Sequence, residues 1–287
     1  MISVLILTKN EQADLPECLA SVAWCDDVHV LDSYSNDATI SIALAAGAKV
    51  RQRMFDGYAS QRNFGLREIQ YKHPWLLLLD ADERVAPALV AELKSFAQAA
   101  PPGTVAARLR RRDYWQGRWL AHAQISPHFV RLVRPAKVRY EREINEVLLV
   151  DGEIAELKGS FDHYPFSKGL DHWIAKHNQY SRMEAEHLRA QDSFDASWTK
   201  AFFARDFNER RRHQKAIFYR LPGRPVIKFL YMMIVRRAFL DGRPGIQYAL
   251  LQSIYEYLIS LKAREISVRQ IVKRPHAPSL RKGTARV

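Results

Sequence analysis

The sequence predicts an α/β fold, with a mostly parallel sheet flanked by helices and a basic helical C-terminal extension. Two observations carry this prediction. Over the first hundred residues, short apolar runs alternate with segments of helical periodicity, which is typical of a parallel, doubly wound sheet. After about residue 170, helical patterns dominate. With 287 residues, 47% of them hydrophobic, the chain is long enough to bury a sizeable core.

The central strands are predicted from continuous apolar runs, which are typical of strands covered on both faces. These runs occupy residues 2–7, 28–31 and 75–79, and a shorter strand is expected at 49–51. Helical spacing fills the gaps between them, at residues 15–22, 40–47 and 58–70. A fourth helix is expected to begin at Pro87 and to end before the Pro101-Pro102-Gly103 sequence, because proline and glycine break helices.

These patterns predict a sheet-bearing domain and a helical extension. The domain is expected over residues 1–168, where 1–103 forms its βα half and 104–168 a more irregular, strand-rich half. The extension is expected over residues 169–275. Residues 276–287 carry proline, glycine and basic residues without periodicity, which predicts a disordered tail.

The positive charge is concentrated in the last third of the chain. Residues 1–194 contain 24 Lys and Arg against 25 Asp and Glu, whereas residues 195–287 contain 20 against 6. The formal net charge of +13 therefore belongs to the C-terminal region. Such a block is typical of proteins that bind polyanions, namely nucleic acid, anionic lipid or an acidic glycan.

The cysteine content and the first residues favour a cytoplasmic location. The spacing of the two cysteines, Cys18 and Cys25, matches neither a metal knuckle nor a disulfide framework, which favours a reducing compartment. The first apolar run is short and meets Lys9 and Glu11 at once. It therefore predicts a buried strand and not a signal peptide.

Polar side chains follow three of the predicted strands. They are Thr8 to Glu11 after the first, Asp32 after the second, and Asp80 and Asp82 after the most apolar one. Parallel sheets bind ligands at the carboxyl ends of their strands, so we expect these groups to share one edge. Two carboxylates spaced by two face the same side of an extended backbone and suit a hard divalent cation. The alternatives are a solvated turn at Asp80–Asp82 and a helix-capping turn at Asp32.

Taken together, the ordered motifs resemble glycosyltransferase family 2. The resemblance is carried by VLILTKNE, VHVLDSYSNDAT, ASQRNFGL and WLLLLDADERV, and it continues through DYWQGRWLAHA, PHFVRLVRP, NEVLLVDGEIAEL, DHYPF and RRAFLDGRPGIQYALL. It covers roughly residues 2–260. More narrowly, the sequence resembles the lipopolysaccharide-core β-1,4-glucosyltransferase (WaaE/KdtX-like) branch. The resemblance implies a GT-A fold, in which residues 1–168 form the nucleotide-sugar-binding catalytic domain.

The resemblance also implies which residues bind the donor and a divalent cation. Asp80 and Asp82 match the family's D-x-D motif, with Asp82 the more direct metal ligand, and Mn²⁺ or Mg²⁺ is the implied cofactor. His163 matches a histidine that contacts the diphosphate or completes the metal shell. The implied nucleotide-sugar-binding residues are Thr8, Asn10, Glu11, Asp32, Asn63 and Asp80.

An inverting transfer needs a carboxylate base, and Glu146 is the implied candidate. In this branch a His-Glu pair often stands at this point, whereas this chain has Asn145-Glu146. Glu143 is the competing candidate and Asp162 a third. The alternative for Glu146 is an exposed charge on a strand, and the missing histidine puts the orientation of the base in question.

Further candidates lie in residues 104–168. Arg131 and Arg134 are able to bind phosphate or acceptor, or are simply solvated. Tyr114, Trp115 and Trp119 are able to stack on a sugar ring, or belong to the core.

The expected function is inverting transfer of a hexose from a UDP-sugar, with UDP-glucose favoured, to a lipopolysaccharide-core or other lipid-linked, cell-envelope glycan. The alternatives are another donor (UDP-GlcNAc or UDP-Gal), a capsule or exopolysaccharide acceptor, and a catalytically silent binding domain. A basic nucleic-acid-binding protein is the alternative of another class. No nucleic-acid partner is expected, because no recognition motif accompanies the charge.

The basic C-terminal region is expected to hold the protein at the inner face of the cell membrane. Residues 217–240 mix apolar and aromatic side chains with arginines, which suits a helix lying in the headgroup layer. The longest uncharged apolar stretch is far shorter than the ~20 residues that a spanning helix needs. The alternative is an amphipathic helix that packs on the catalytic domain and exposes its arginines.

Overall fold

The chain forms two compact units. The first consists of Met1–Trp173 together with Ala238–Gly245, and the second of Ile174–Arg237 together with Ile246–Val287. The computed structural model describes residues 1–141, 147–190, 196–204 and 206–272. The tail predicted at 276–287 lies outside the described residues.

The first unit is built on a mixed sheet. Within the described residues, its nine strands are β1 (Ile2–Thr8), β2 (Val28–Asp32), β3 (Lys49–Gln52), β4 (Trp75–Asp80), β5 (Glu83–Val85), β6 (Thr104–Trp115), β7 (Arg118–Trp119), β8 (His128–Val133) and β11 (Glu153–His163). The order is β3-β2-β1-β4-β8-β6-β11-β5, and β7 pairs with β6. Strands β1 to β4 are parallel, as are β6 and β11, whereas β8 and β5 run antiparallel to their neighbours. A separate antiparallel pair is formed by β9 (Val138–Glu141) and β10 (Val147–Val150).

Three helices connect the parallel strands β1 to β4, and a fourth connects β5 to β6. They are α1 (Leu15–Ser21), α2 (Thr39–Ala45), α3 (Tyr58–Glu68) and α4 (Pro87–Ala99), and a 3₁₀ turn covers Pro135–Lys137. Pro16 and Pro87 stand in the first turns of α1 and α4, where the missing N–H costs nothing. The α/β class expected from the sequence, with a mostly parallel sheet flanked by helices, is confirmed.

The core lies on both faces of the sheet, which is why its central strands read as continuous apolar runs. Trp75 to Leu79 are at most 3% exposed. One buried cluster includes Leu15, Val30 and Leu89, and the other, on the opposite face, includes Leu5. Helix α3 approaches the core closely at Gly65, because a Cβ atom there would lie 2.5 Å from Leu5 Cδ2 and the buried Leu5 side chain would have to shift.

The strand register brings the predicted polar clusters to one edge. In the parallel ladder Thr8 is opposite Asp32, and Leu7 is opposite Asp80. Strand β5 turns back after Asp82 and pairs with the end of β11, so that Glu83 is opposite His163. Four strand ends that are distant in sequence, those of β1, β2, β4 and β11, therefore lie at the same edge.

The second unit is helical. Its helices are α5 (Gly169–Ala190), α6 (Trp198–Phe203), α7 (Phe207–Arg220), α8 (Arg224–Leu230) and α9 (Gly242–Val272). Helices α5 and α9 both begin in the first unit. A π-helical turn, Tyr231–Val235, continues α8, and a 3₁₀ turn covers Ala238–Asp241. No helix in the described part of the chain is both long and apolar enough to span a bilayer.

Residues 217–240 do not form the one amphipathic helix expected from the sequence. Helix α7 ends at Arg220, and α8 begins after Gly223, whose φ of +68° interrupts the helical path. Pro222 precedes that glycine and Pro225 occupies the first turn of α8, so the break follows from the Pro-Gly-Arg-Pro sequence. A second interruption is at Arg237, with a φ of +56°.

Candidate functional site

Asp32 joins the ends of β1 and β2. Its side chain is fully buried and accepts hydrogen bonds from Thr8 Oγ1 at 2.8 Å and from the Ser35 N–H at 2.8 Å. Ser35 Oγ and Gln52 Nε2 also donate to it, at 2.5 and 3.3 Å. These bonds order the turn after β2, but Asp32 does not cap α2, whose N-cap residue is Ala38 with no side-chain hydrogen bond. The role of Asp32 in nucleotide binding stays a prediction.

The loops after β1 and β2 are bonded to each other. Lys9 Nζ donates to the carbonyl oxygens of Ser33 and Tyr34, at 2.8 and 2.6 Å. Asn10 has a positive φ of 55°, and its Oδ1 accepts from the Asn36 N–H at 3.0 Å. These hydrogen bonds order the loop that follows β1.

Glu11 is the one predicted donor-site residue with a buried oxygen that lacks a hydrogen bond. Its Oε1 lies 2.5 Å from Lys168 Nζ, whereas Oε2 has no hydrogen-bond partner within the described part of the chain. Burial raises the pKa of Glu11 to about 7, although the ion pair with Lys168 opposes this shift. A buried acceptor at the ligand-binding edge of a sheet suits a hydrogen-bond donor from a ligand.

Asp80 lies between two arginines at the end of β4. Its carboxylate is 3.0 Å from Arg62 Nη2 and 3.1 Å from Arg131 Nη2. Glu83, which is 1% exposed, pairs with the same Arg131 and accepts from the Asp80 N–H at 3.0 Å. Burial raises the pKa of Asp80, but Arg62 and Arg131 outweigh it and hold the pKa well below the usual range. Asp80 is therefore an oriented, ionised carboxylate.

Asp82 and His163 lie together at the same edge. His163 Nε2 is 3.2 Å from Asp82 Oδ2, and its Nδ1 is 2.5 Å from Oδ1 of Asp113, which is 1% exposed. The Tyr164 N–H also donates to the Asp82 carbonyl, at 2.9 Å. Burial lowers the pKa of His163, but the hydrogen bonds to Asp113 and Asp82 outweigh burial and raise it to about 9.

The Asn63 side chain is hydrogen-bonded to the backbone of Tyr140 in β9. Its Nδ2 donates to the Tyr140 carbonyl at 2.8 Å, and its Oδ1 accepts from the Tyr140 N–H at 2.8 Å. The carboxamide therefore pins α3 to β9. The predicted contact of Asn63 with the nucleotide sugar stays a prediction.

The two candidate bases, Glu143 and Glu146, lie outside the described residues. The third candidate, Asp162, pairs with Arg112 at 2.6 Å, and burial raises its pKa. The choice among these carboxylates stays a prediction.

The aromatic residues of β6 stack on other aromatic rings. Trp115 stacks on Phe166 with ring centroids 4.3 Å apart, and Phe166 stacks on Trp173 at 5.4 Å. Tyr114 stacks on Tyr164 at 5.4 Å. Arg134 likewise lies over the ring of a core residue, Trp75, at 4.6 Å. Packing thus accounts for these contacts.

Residues Ala238–Gly245 return to the first unit and hold the loop after β7; we call them the return segment. Asp241, 2% exposed, accepts from the N–H groups of His122 and Ala123 at 2.9 and 2.7 Å and lies 2.7 Å from His122 Nδ1. In the same loop, the Leu120 N–H donates to the carbonyl of Asp113 at 2.9 Å. The return segment thus holds the loop that is itself bonded, through Leu120, to the strand carrying the partner of His163.

Several residues of this edge were missed by sequence reasoning, namely Arg62, Glu83, Asp113, Lys168 and Asp241. All of these except Lys168 stand inside the motifs that carry the family resemblance, so their position was a usable signal. The pairing of Asp113 with His163 spans 50 residues and depends on strand register, which no local pattern reveals. No group of three or more His, Cys, Asp or Glu suited to a metal ion occurs within the described ranges.

Comparison with known proteins assigns the chain to a family. A family model described as "Glycosyl transferase family 2" matches residues 3–153, which is more than half of the chain. The chain is 28% identical over 271 residues to the lipopolysaccharide core biosynthesis glycosyltransferase LpsC of Rhizobium meliloti (strain 1021), covering 91% of both chains. It is 27% identical over 282 residues to an uncharacterized glycosyltransferase of Rickettsia typhi (strain ATCC VR-144 / Wilmington), covering 93% of this chain and 88% of the relative.

Among solved structures, similarity extends to glucosyl-3-phosphoglycerate synthase from Mycobacterium tuberculosis in complex with Mn²⁺, UDP-glucose and phosphoglyceric acid. The identity is 22% and the TM-score 0.34, and the match covers 39% of this chain and 44% of that one. The chain thus matches less than half of that enzyme's length. The family match is decisive: the chain belongs to glycosyltransferase family 2 and is a glycosyltransferase.

Proposed function

We propose that this glycosyltransferase moves a hexose, with UDP-glucose as the favoured donor, to a lipopolysaccharide-core or other lipid-linked glycan, with inversion at the anomeric carbon. One observation supports the proposed nucleotide-sugar donor: Thr8, Asp32, Asp80 and Asp82 lie at the same edge of the sheet, and His163 lies there with them. The acceptor half is supported by similarity to a lipopolysaccharide-core enzyme over 91% of both chains. UDP-GlcNAc or UDP-Gal as donor, and a capsule or exopolysaccharide acceptor, are the alternatives within the family.

The residues present fit a divalent cation. The Asp82 carboxylate and the His163 imidazole lie 3.2 Å apart. The carboxylate would supply an oxygen donor, and the imidazole a nitrogen donor once Nε2 has released its proton to solvent. Mn²⁺ and Mg²⁺ bind few protein groups when substrate phosphates and water complete the shell. Asp82 and His163 would hold the ion, and Asp80 would bind the nucleotide sugar beside it. The ion would supply positive charge that stabilises the departing diphosphate.

The chain's own groups would perform the displacement. The base, assigned to Glu146 with Glu143 as the competitor, takes the proton of the acceptor hydroxyl as its oxygen attacks the anomeric carbon. The bond from that carbon to the diphosphate oxygen breaks, and the diphosphate leaves as UDP. Glu11, with its buried Oε2, would accept a hydrogen bond from uracil or ribose.

A donor screen tests this proposal. UDP release is measured with UDP-glucose, UDP-GlcNAc and UDP-Gal, with Mn²⁺ or Mg²⁺ and with EDTA. Asp82→Ala should abolish metal-dependent UDP release, and Asp151→Ala, which removes an 82% exposed carboxylate, serves as the control. If no UDP-sugar binds, or if Asp82→Ala retains full release, the donor and metal assignments are wrong.

The membrane partner belongs to the same proposal. Lys and Arg outnumber Asp and Glu by 20 to 6 in residues 195–287, which supports attachment at the inner face of the cell membrane. Nucleic-acid binding is the competing explanation of this charge. A salt-sensitive shift of RNA or DNA without binding to vesicles would favour it.

A further inference from the structure

The helical run Arg224–Val235 turns its apolar side outward. Its exposed residues are Val226, Ile227, Leu230, Tyr231, Ile234 and Val235, and we call them the apolar stripe. They are between 37% and 68% exposed. Their spacing, in adjacent pairs every four residues, places them on one face of the helix. Surface helices of water-soluble units normally show the opposite arrangement.

The inner side of this run is already packed within the second unit. Arg224 is 5% exposed, donates to Ser260 Oγ at 2.6 Å and lies 4.9 Å from the centre of the Tyr219 ring. Met232 is 3% exposed, and the carbonyl of Pro225 accepts from Ser253 Oγ at 2.7 Å. The helix therefore buries its first arginine and leaves six apolar side chains outside. Packing in this unit does not explain the stripe.

The positive charges around the apolar stripe indicate which kind of partner contacts it. Lys228, Arg236 and Arg237 are in or next to the run, inside a region with 20 Lys and Arg against 6 Asp and Glu. A second copy of the chain would bring the same positive charge, so self-association through this face is opposed by repulsion. Nucleic acid would bind the cations but would leave the apolar side chains in water. An anionic bilayer accommodates both the cations and the apolar groups.

The length of the run decides its orientation. Twelve residues at about 1.5 Å each extend about 18 Å, well short of the ~30 Å hydrocarbon core. The run therefore suits a position parallel to the surface, with its apolar face among the acyl-chain ends and its cations among the headgroups.

We propose that the apolar stripe inserts into the headgroup layer of an anionic bilayer and anchors the enzyme there. This inference rests on the membrane partner of the proposed function and identifies the residues that make the contact. The side chain of Tyr231 would lie at the interface, where aromatic residues with a polar end are favoured. Basic charge alone would give attachment that salt reverses, whereas the stripe adds a component that salt does not screen.

Vesicle sedimentation of the full-length protein tests this proposal. The vesicles are phosphatidylcholine with or without phosphatidylglycerol, at low and high salt. Ile234→Glu combined with Val235→Glu should lower partitioning onto the anionic vesicles by at least about tenfold, equivalent to ~1.4 kcal/mol. The matched control is Leu44→Glu combined with Ile125→Glu, which changes two residues that are 58% and 59% exposed on the first unit. We expect this control to change partitioning by less than about twofold, which is within the range of surface substitutions.

Variants without added charge show whether binding weakens because insertion is lost or because the new glutamates are repelled by the anionic lipid. Ile234→Ser with Val235→Ser should still weaken binding, and the remaining binding of that variant should be fully reversed by high salt. Unchanged partitioning of both stripe variants would overturn the proposal. So would a concentration-dependent dimer that the stripe variants dissociate, because a second copy would then cover the face.

UDP binding in the presence of Mn²⁺, measured by calorimetry on the same proteins, separates this proposal from the proposed donor site. The stripe variants should bind UDP as the wild type does, which also shows that they are folded. If the wild type binds anionic vesicles through the stripe but fails to bind UDP, the donor assignment fails and the membrane inference stands.

Discussion

Asp113 holds His163 in place across the parallel strands β6 and β11, with 2.5 Å between Asp113 Oδ1 and His163 Nδ1. The buried carboxylate fixes the ring so that Nε2 points to Asp82. A carboxylate behind an imidazole also makes it a stronger base and a better metal ligand. The pair therefore prepares His163 for the role that we propose.

Asp113→Asn should weaken Mn²⁺ binding and transfer by about 10- to 100-fold, the usual cost of losing such a supporting group. The pKa of His163 should fall, because the hydrogen bond that its Nδ1–H donates to Asp113 is among the interactions that raise it. Calorimetry with Mn²⁺ measures the first effect, and NMR titration of the metal-free protein measures the second. Asp151→Asn is the control, since Asp151 is 82% exposed and pairs with Lys137. Equal effects of the two variants would contradict the assignment.

Arg131→Met should destabilise the protein by about 3–5 kcal/mol, because it leaves Glu83 buried without its cation. Arg108→Met removes the same kind of pair at the surface, where Arg108 and Glu156 are about half exposed, and should cost less than about 1 kcal/mol. Urea unfolding measures the free energy of unfolding of both variants. Adding Glu83→Gln should recover part of the loss in Arg131→Met. Equal losses in the two arginine variants would show that burial of the Arg131 pair is unimportant.

Glu11→Gln should become progressively more stable than the wild type as the pH rises from about 4.5 to about 7. The folded-state pKa of Glu11 is raised from 4.5 to about 7, so between these values the unfolded chain ionises Glu11 while the folded chain still holds it protonated. The contribution of Glu11 to stability is therefore present below about pH 4.5 and is lost by about pH 7. The difference should reach roughly 3 kcal/mol. Urea unfolding across this pH range measures it. In a Lys168→Met background the change should move to higher pH, and a pH-independent difference would contradict the prediction.

Asp241→Ala should cost about 2–4 kcal/mol, because the N–H groups of His122 and Ala123 lose their acceptor. Asp241→Asn keeps one oxygen and should cost less. Asp206→Ala is the comparison: it removes the carboxylate that caps α7 through the Glu209 N–H and should cost about 1 kcal/mol. Urea unfolding gives the energies, and proteolysis shows whether cleavage concentrates in the loop after β7. Cleavage spread over the whole chain would argue against a local role.

The parallel half of the fold was predictable because its signals are local. The apolar runs at Ile2, Val28 and Trp75 open buried strands, and parallel pairing then brings Thr8, Asp32 and Asp80 together without further information. The β-α alternation and the helix stops follow from proline and glycine positions. Each of these inferences depends only on residues that are close together in the sequence.

The contacts that shape the site were not predictable, because they depend on long-range register. The β6–β11 ladder contains a shift between Glu156 and Ser160, and a different register by one residue would turn Asp113 away from His163. Arg131 was expected at the rim as a phosphate or acceptor contact, yet it is 6% exposed beneath Asp80 and Glu83. The sequence around Arg131 does not indicate that its side chain is buried.

The path of the chain limits how this enzyme can be divided. The polypeptide leaves the first unit at Trp173, comes back for Ala238–Gly245, and leaves again. A single cut after Trp173 would therefore remove Asp241 from the loop that it holds. Exchanging the C-terminal half between relatives would likewise transplant a piece of the first unit. The two units are not separable modules, and any hybrid enzyme must keep the return segment matched to its own His122 loop.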